Sequence, residues 1–491
     1  TGSYSAGIIG ASIMAIIPAH IMRSVGGGYD NESVAMTAMM MTFYFWVRSL
    51  RNDKNIKNGE ATRDSYIYGT LCGFAYIFMV ATWGGFIFVL NLIAAHAVAL
   101  VLMGRYSSKL HRAYSLFYII GTIGATHVPV VGWGPLKSME QLSGLAVFCA
   151  YQILEYCEIQ RRKKNLNVLE LTMLRVKVTI PIFGFLALIV AVLLPTGYFG
   201  PLTARIRGLF VKHTRTGNPL VDSVAEHQPA SEAAYGHYLN VIYKIAPYGL
   251  IMCVFNFTDA NLFLVSYAFI AYYFSSKMSR LIILLGPVGS ALAGNAIGLI
   301  LDQCFVYSSQ NLMKFLICNG DDDDDDDDDD EEKKKEAGDD ASDKDTSGKK
   351  DDEKKKKKEK KDDKKEEAND VKASVSATRD NTPLKQIEKI KKAASKIYNN
   401  PGLIVIRIVF GIFLINTYGV QQSKDFFAYC HQMAEGMSGP SIMFKARLNS
   451  GEEIIVDDYR EAYWWLRDKT PDDARVLAWW DYGYQITGIG N

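Results

Sequence analysis

Cysteine is sparse and unpatterned in this chain. Seven cysteines, at 72, 149, 157, 253, 304, 318 and 430, are scattered through 491 residues, and no two stand as CxxC. Most fall in or beside apolar runs. That distribution excludes the usual zinc spacing and a disulfide framework, and reads as small buried hydrophobes. A signal peptide and an initiator Met are also lacking. The chain opens inside an apolar segment, "SAGIIGASIMAIIP", and stops at "QITGIGN", so it is expected to be a piece of a longer protein. Charge is scarce outside one block, which the whole-chain averages hide: net charge is +1 and mean hydropathy +0.01. Residues 321–370 hold 26 acidic and 15 basic side chains, a net of −11, which leaves +12 on the other 441 residues.

Those other residues are mostly apolar runs separated by short polar loops, the composition of a polytopic membrane protein. Runs long enough to approach the ~20 residues that cross a bilayer are the opening one, to about Pro18, then 33–48, 64–82, 85–103, 113–131, 139–157, 177–197, 238–256, 260–276, 281–304 and 401–418. The loops "RSLRNDKNIKNGEATR", "GRYSSKLHR" and "QRRKK" are basic and recur after every second run. The bias of Lys and Arg toward the cytoplasm makes them cytosolic. Parity then puts 23–33, 82–85, 198–237, 275–280 and everything beyond 418 on the opposite side.

The expected organisation is a multi-span transmembrane region over 1–304, with catalytic loops on the non-cytosolic side. A cytosolic charged insert over 305–383, unable to bury enough apolar surface to order, would follow. A basic amphipathic helix is expected over 384–400, where Leu384, Ile387, Ile390, Ala394 and Ile397 recur at helical spacing among lysines. A solvated helix beside a linker fits those residues nearly as well. A last span over 401–418 leads to 419–491, the start of an α/β domain. There, "GEEIIV" and "ARVLAWW" predict strands flanking a helix with Tyr459, Ala462, Trp465 and Leu466 on one side.

Several polar residues stand out on the non-cytosolic side. Asp30 and Glu32 in "GGGYDNE" could face one hard cation, or simply cap the helix that follows. Glu226 and His227 in "DSVAEHQP" could be metal or substrate ligands, or an ordinary polar loop. Arg280, which ends "SSKMSR", could pair with a phosphate at the membrane edge or snorkel. In "WWDYGYQ", Trp479, Trp480 and Tyr482 offer N–H and O–H groups around Asp481. An acid between large aromatics can accept a hydrogen bond from a hydroxyl in a semi-dry site, and so distinguish Ser or Thr from an apolar residue.

Together these stretches resemble the catalytic subunit of eukaryotic oligosaccharyltransferase. "WWDYGYQI" is similar to that family's signature, "SVGGGYDNE" to its second acidic motif, usually S-V-A-G-S-Y-D-N-E, and "SVAEHQP" to its S-V-S-E-H-Q-P loop. "WGGFIFVLNLIAAH" and "LMGRYSSKL" also resemble family segments. The resemblance covers most of the chain except 305–400. It implies a dolichyl-diphosphooligosaccharide–protein glycosyltransferase, moving an oligosaccharide from dolichyl pyrophosphate to Asn in N-x-S/T sequons of nascent polypeptides. It implies a multi-subunit complex in the endoplasmic reticulum membrane, with a lumenal site. By the same resemblance Asp30, Glu32 and Glu226 hold Mn²⁺ or Mg²⁺, Arg23 supports them, and Arg280 grips the donor pyrophosphate. Trp479, Trp480 and Asp481 then bind the sequon Ser/Thr. No nucleic-acid partner is expected.

A first acidic motif would precede residue 1 and further sequon-binding elements would follow residue 491, so this piece alone is expected to be inactive. Asn31-Glu32-Ser33 is itself a sequon, expected to stay unmodified inside the site. A transporter or channel using Asp30, Glu226, Asp259 and Arg280 as a polar path is the rival reading. A non-catalytic assembly subunit is another.

Overall fold

The computed structural model describes residues 3–26, 28–51, 62–199, 226, 228–318, 398–439, 442–447, 451–478 and 482–490. The charged insert from residue 319 onward, the predicted amphipathic helix up to residue 397, His227, and the triplet Trp479, Trp480 and Asp481 lie outside the described residues. The first part of the region expected to be a disordered insert, 305–318, is helical instead, because the apolar run before it continues through a helical turn at Asp302–Val306 into the helix Tyr307–Cys318.

Each apolar run becomes a helix. In order these are α1 (Tyr4–Ile16), α2 (Pro18–Ile21), α3 (Asn31–Ser49), α4 (Arg63–Thr82), α5 (Phe86–Leu102), α6 (Ser108–Thr126), α7 (Gly134–Lys137), α8 (Leu142–Lys164) and α9 (Val168–Leu193). They continue as α10 (Glu232–Leu239), α11 (Ile242–Phe255), α12 (Asp259–Lys277), α13 (Leu285–Leu301), α14 (Tyr307–Cys318), α15 (Pro401–Leu414) and α16 (Val420–Ser438). Polar residues set where they start. Thr62, Ser107 and Thr258 accept backbone N–H bonds as N-caps of α4, α6 and α12, and Asn167 forms a capping box with Glu170 at α9. The last turn of α8 carries Arg161, Arg162, Lys163 and Lys164, which complement the helix dipole, and Asn165 ends it with φ +49°.

Among the described residues, five stretches are long and apolar enough to cross a membrane: 63–82, 142–164, 168–196, 279–313 and 401–438. The pair α10 and α11 adds a sixth if taken as one span, bent by 88°. This is fewer than the eleven runs expected. α1 and α5 are apolar but shorter, while the runs at 33–48, 113–131 and 260–276 lie in helices α3, α6 and α12, which fall outside those five stretches. Helix α9 has no buried residue and leaves Ile180, Phe185, Leu188 and Val192 exposed, a surface suited to lipid and not to water.

Two compact units divide the chain, 1–299 with 419–491, and 300–418. In the first, small residues let helix backbones approach. A Cβ on Gly73 of α4 would lie 2.8 Å from Ile120 of α6, and one on Gly294 of α13 would lie 2.5 Å from the backbone of Gly10 in α1. Trp46, Tyr76, Tyr114, Phe117 and Tyr151 fill the space between α3, α4, α6 and α8, with Tyr114 and Tyr151 stacked at 5.4 Å. The buried Trp46 donates its indole N–H to His96 Nδ1 (3.0 Å), and His96 Nε2 meets the carbonyl of Asp259 at 2.9 Å. These partners assign the proton to Nε2. In the second unit, Gly411 of α15 packs on Cys304, and Asn311 donates to Asn399 at 2.9 Å.

Beyond α16, strands β1 (Phe444–Arg447) and β2 (Glu453–Val456) form an antiparallel hairpin with Phe444 opposite Val456, and α17 (Asp458–Lys469) follows. This departs from the sequence reading. The strand expected at 474–480 is irregular over its described part, because β2 pairs with its neighbour in sequence, β1, and Gly451, at φ +86°, lies just before β2. The inward face of α17 also differs. Tyr463 is buried and donates to Gln485 (2.7 Å), Tyr459 stacks on Tyr482 at 5.8 Å, and Trp465 is exposed.

Candidate active site

Five residues from three distant stretches of the first unit converge at one rim of the helices. The loop before α3 turns back on itself: Asp30 N–H donates to the carbonyl of Arg23 at 3.0 Å, and Gly28 N–H to Val25 at 3.0 Å. A Cβ at Gly28 would sit 2.8 Å from the carbonyl oxygen of Met22, so the turn accepts only glycine there. Asp30 Oδ1 then accepts from Asn31 N–H (2.7 Å), starting α3. The capping reading of Asp30 therefore holds, and the same carboxylate faces the site. Its Oδ2 lies 3.8 Å from Arg23 and 4.0 Å from Arg280.

Glu32, in the first turn of α3, is fully buried. Its Oε1 accepts from Arg280 Nε (2.8 Å) and forms an ion pair with Arg280 Nη2 at 2.7 Å. Its Oε2 lies 3.1 Å from Arg23 Nε but outside hydrogen-bond alignment, so this buried oxygen gains charge compensation without a directed N–H. Glu226 approaches from the other side, with Oε1 accepting from Arg23 Nη2 at 2.6 Å. Arg23 thus touches all three acids. Three carboxylates against two guanidinium groups leave the cluster with a net negative charge.

Arg280 reaches this point because α12 ends at Lys277 and Met278 is extended (φ −149°, ψ 117°) before a tight 3₁₀ turn over Ser279–Leu284. The chain break between helices is where a charged side chain can leave an apolar element. Sequence reasoning passed over two contacts here. Ser279 donates through its N–H to the carbonyl of Gln228 (2.9 Å) and through Oγ to that of Glu226 (3.1 Å). Asn31 Nδ2 donates to the carbonyl of Thr82 (2.7 Å), fixing the end of α4 beside the start of α3. The only signal for Ser279 was its place beside Arg280; nothing announced the Asn31 contact.

Asp259, which the transporter reading needed on the same path, is elsewhere. It pairs with Arg105 at 2.6 Å, at the far end of α12 from Arg280. At ~1.5 Å per residue that helix puts the two about 28 Å apart. Among the described residues, no group of three or more His, Cys, Asp or Glu is gathered closely enough to hold a metal ion unaided. The guanidinium of Arg23 stands among the acids instead. Of the signature, Tyr482 and Gln485 dock on α17.

Helices with lipid-facing apolar surfaces and a charged cluster at one rim define a multi-pass membrane protein with a polar site at the membrane edge. A sequence model described as oligosaccharyl transferase STT3, N-terminal, matches residues 1–292. The chain belongs to this family. It is 33% identical over its whole length to the dolichyl-diphosphooligosaccharide–protein glycosyltransferase subunit stt-3 of Caenorhabditis elegans, covering 55% of that protein. It is 30% identical over 99% of its length to subunit STT3B of Arabidopsis thaliana, covering 56% of it. The chain spans about half the length of the curated relatives it matches. In fold it resembles the archaeal oligosaccharyltransferase AglB of Archaeoglobus fulgidus, solved with an inhibitory peptide and a dolichol-phosphate. The TM-score is 0.54 at 13% identity, covering 99% of this chain and 49% of that one. The apo form of the Archaeoglobus fulgidus oligosaccharyltransferase gives a TM-score of 0.55 at 12% identity, over 99% of this chain and 49% of that one.

Proposed function

We propose that the protein to which this chain belongs is the catalytic subunit of an oligosaccharyltransferase. It transfers an oligosaccharide from a dolichyl pyrophosphate donor to the Asn side chain of N-x-S/T sequons in nascent polypeptides. The site faces the endoplasmic reticulum lumen, within a multi-subunit complex, and the charged insert lies in the cytosol. The observation that carries this reading is the meeting of Asp30, Glu32 and Glu226 around Arg23, beside Arg280, in a chain of this family.

The chemistry suits those groups. A carboxamide nitrogen is a poor nucleophile, because its lone pair is delocalised into the carbonyl. Glu226 and Asp30, both partly exposed, accept hydrogen bonds from the acceptor NH₂ and twist or polarise it. The C–N bond forms at the sugar's anomeric carbon as its C–O bond to the pyrophosphate breaks, and an amide proton leaves to a carboxylate. Arg280 keeps 31% of its side chain exposed while Nε and Nη2 face Glu32, and its guanidinium takes the charge developing on the departing pyrophosphate. Trp479, Trp480 and Asp481 hold the sequon hydroxyl, which turns a weak peptide encounter into an oriented one.

In chemistry alone the donor set suits a hard divalent cation, Mn²⁺ or Mg²⁺, while Arg23 stands where the three acids would have to close around it. Its ligands are all carboxylate oxygens, the cluster is short of positive charge, and Glu32 Oε2 is buried without a hydrogen bond. Asp30, Glu32 and Glu226 would hold it, and it would supply Lewis-acid stabilisation of the leaving pyrophosphate.

The test is glycosylation of a sequon peptide by the full-length protein in its complex, with and without Mn²⁺. Cation-dependent transfer that Glu32→Gln abolishes is the expected result. Full activity of that variant would overturn the assignment.

A further inference from the structure

Glu226 and Glu32 are brought together by two adjacent residues. Arg280 holds Glu32 through its guanidinium, at 2.7 and 2.8 Å. Ser279 holds the 226–228 segment through its backbone N–H to Gln228 (2.9 Å) and its hydroxyl to Glu226 (3.1 Å). One peptide unit, ~3.8 Å between Cα atoms, therefore sets the spacing between the anchor of one acid and the anchor of the other.

The need for such an anchor is plain from exposure. Glu32 is rooted in the first turn of α3 and fully buried, whereas the Glu226 side chain is 37% exposed. Its carboxylate meets Arg23 at 2.6 Å, but a contact through a flexible side chain does not fix the backbone from which it projects.

We infer that Ser279 is a positioning residue of the transfer site: its hydroxyl holds the backbone of Glu226, and with it the carboxylate, at a set distance from the Arg280–Glu32 pair. The inference rests on the reading of Glu226 as an acceptor-site acid. Ser279 itself touches neither substrate nor reacting atoms. Its effect runs through Glu226, and misplacement of that acid slows the chemical step more than it weakens binding.

The experiment uses the full-length protein in its complex, with Ser279→Ala, Ser279→Thr, Glu226→Gln and the Ser279→Ala/Glu226→Gln pair. Initial rates are measured against sequon peptide and lipid-linked donor, and thermal midpoints are measured alongside. Ser279→Ala is expected to lower kcat about five- to tenfold, the size of one lost hydrogen bond, with the donor KM unchanged. Ser279→Thr, which keeps the hydroxyl, restores most of the loss. In the Glu226→Gln background the alanine change costs nothing further, because its route of action is already gone.

Wild-type kcat in Ser279→Ala would overturn the proposal. So would a loss that multiplies in full with Glu226→Gln, or one that tracks a fall in thermal midpoint in both serine variants. If Glu226→Gln alone leaves transfer intact, the acceptor-site reading of Glu226 fails first, which separates the two claims.

Discussion

Arg23 and Glu226, 203 residues apart in sequence, meet at 2.6 Å. Arg23 also lies 3.1 Å from Glu32 and 3.8 Å from Asp30, so one guanidinium organises acids from two separate motifs. Its Nη1, Nε and Nη2 each face a different carboxylate, whereas a lysine's single nitrogen would have to serve all three from one point.

Replacing Arg23 therefore has two costs. Arg23→Met leaves three carboxylates with one guanidinium, and the buried Glu32 loses half of its compensation. Destabilisation of about 3–5 kcal/mol is expected, read as a lowered thermal midpoint in detergent, together with loss of transfer. Arg23→Lys keeps the charge but should recover little activity. Full activity with lysine would show that charge alone suffices.

Gly28→Ala separates geometry from charge. The added methyl meets the Met22 carbonyl at 2.8 Å, so the turn presenting Asp30 must shift. Transfer should fall at least tenfold while the thermal midpoint moves by only a few degrees, since the turn lies at the rim and buries little. A large drop in midpoint with proportionate activity would contradict this.

The Trp46–His96–Asp259 chain is remote from the site and serves as its control. His96→Phe leaves the buried Trp46 N–H without an acceptor and should cost about 1–3 kcal/mol. The purified enzyme should still show wild-type kcat. A change in kcat at unchanged stability would mean that this chain communicates with the rim.

Helix contact through glycine predicts steric sensitivity. Gly294→Val pushes a branched side chain into the backbone of Gly10, with only 2.5 Å available to its Cβ. Overpacking of this kind costs about 1–3 kcal/mol, measurable as a lower yield of folded protein and a lower midpoint. Gly184 of α9, whose Cβ would meet nothing within 4 Å, should tolerate the same change.

Asp481→Ala in the full-length protein tests the signature. Loss of the acceptor carboxylate should raise the KM for N-x-T peptides by tenfold or more, with less effect on the donor KM. Unchanged discrimination between Thr and an apolar residue at that position would remove Asp481 from sequon recognition.

Much of this protein is legible in one dimension. Runs of apolar residues at Gly85–Leu102 or Val168–Leu193 have no stable alternative to a helix with its apolar face turned away from water. The recurrence of basic loops at every second connection assigns sides before any contact is known. The same parity gathered Asp30, Glu226 and Arg280 on one face, and the structure brings them together. By contrast, the partner of β2 went to Phe444–Arg447 instead of 474–480, and the buried face of α17 to Tyr463 instead of Trp465. Short strands and lone amphipathic helices choose their partners through packing that no local pattern encodes.

The membrane-like helices and the acidic and aromatic motifs were legible in the sequence alone, because periodicity and residue chemistry are local properties. Only the tertiary structure decided that Arg23 touches all three acids, that Arg280 grips Glu32, and that Ser279 carries the Glu226 segment. Those contacts join residues up to 248 positions apart. Their geometry depends on how helices cross and where chain breaks fall, which is a property of the packed whole.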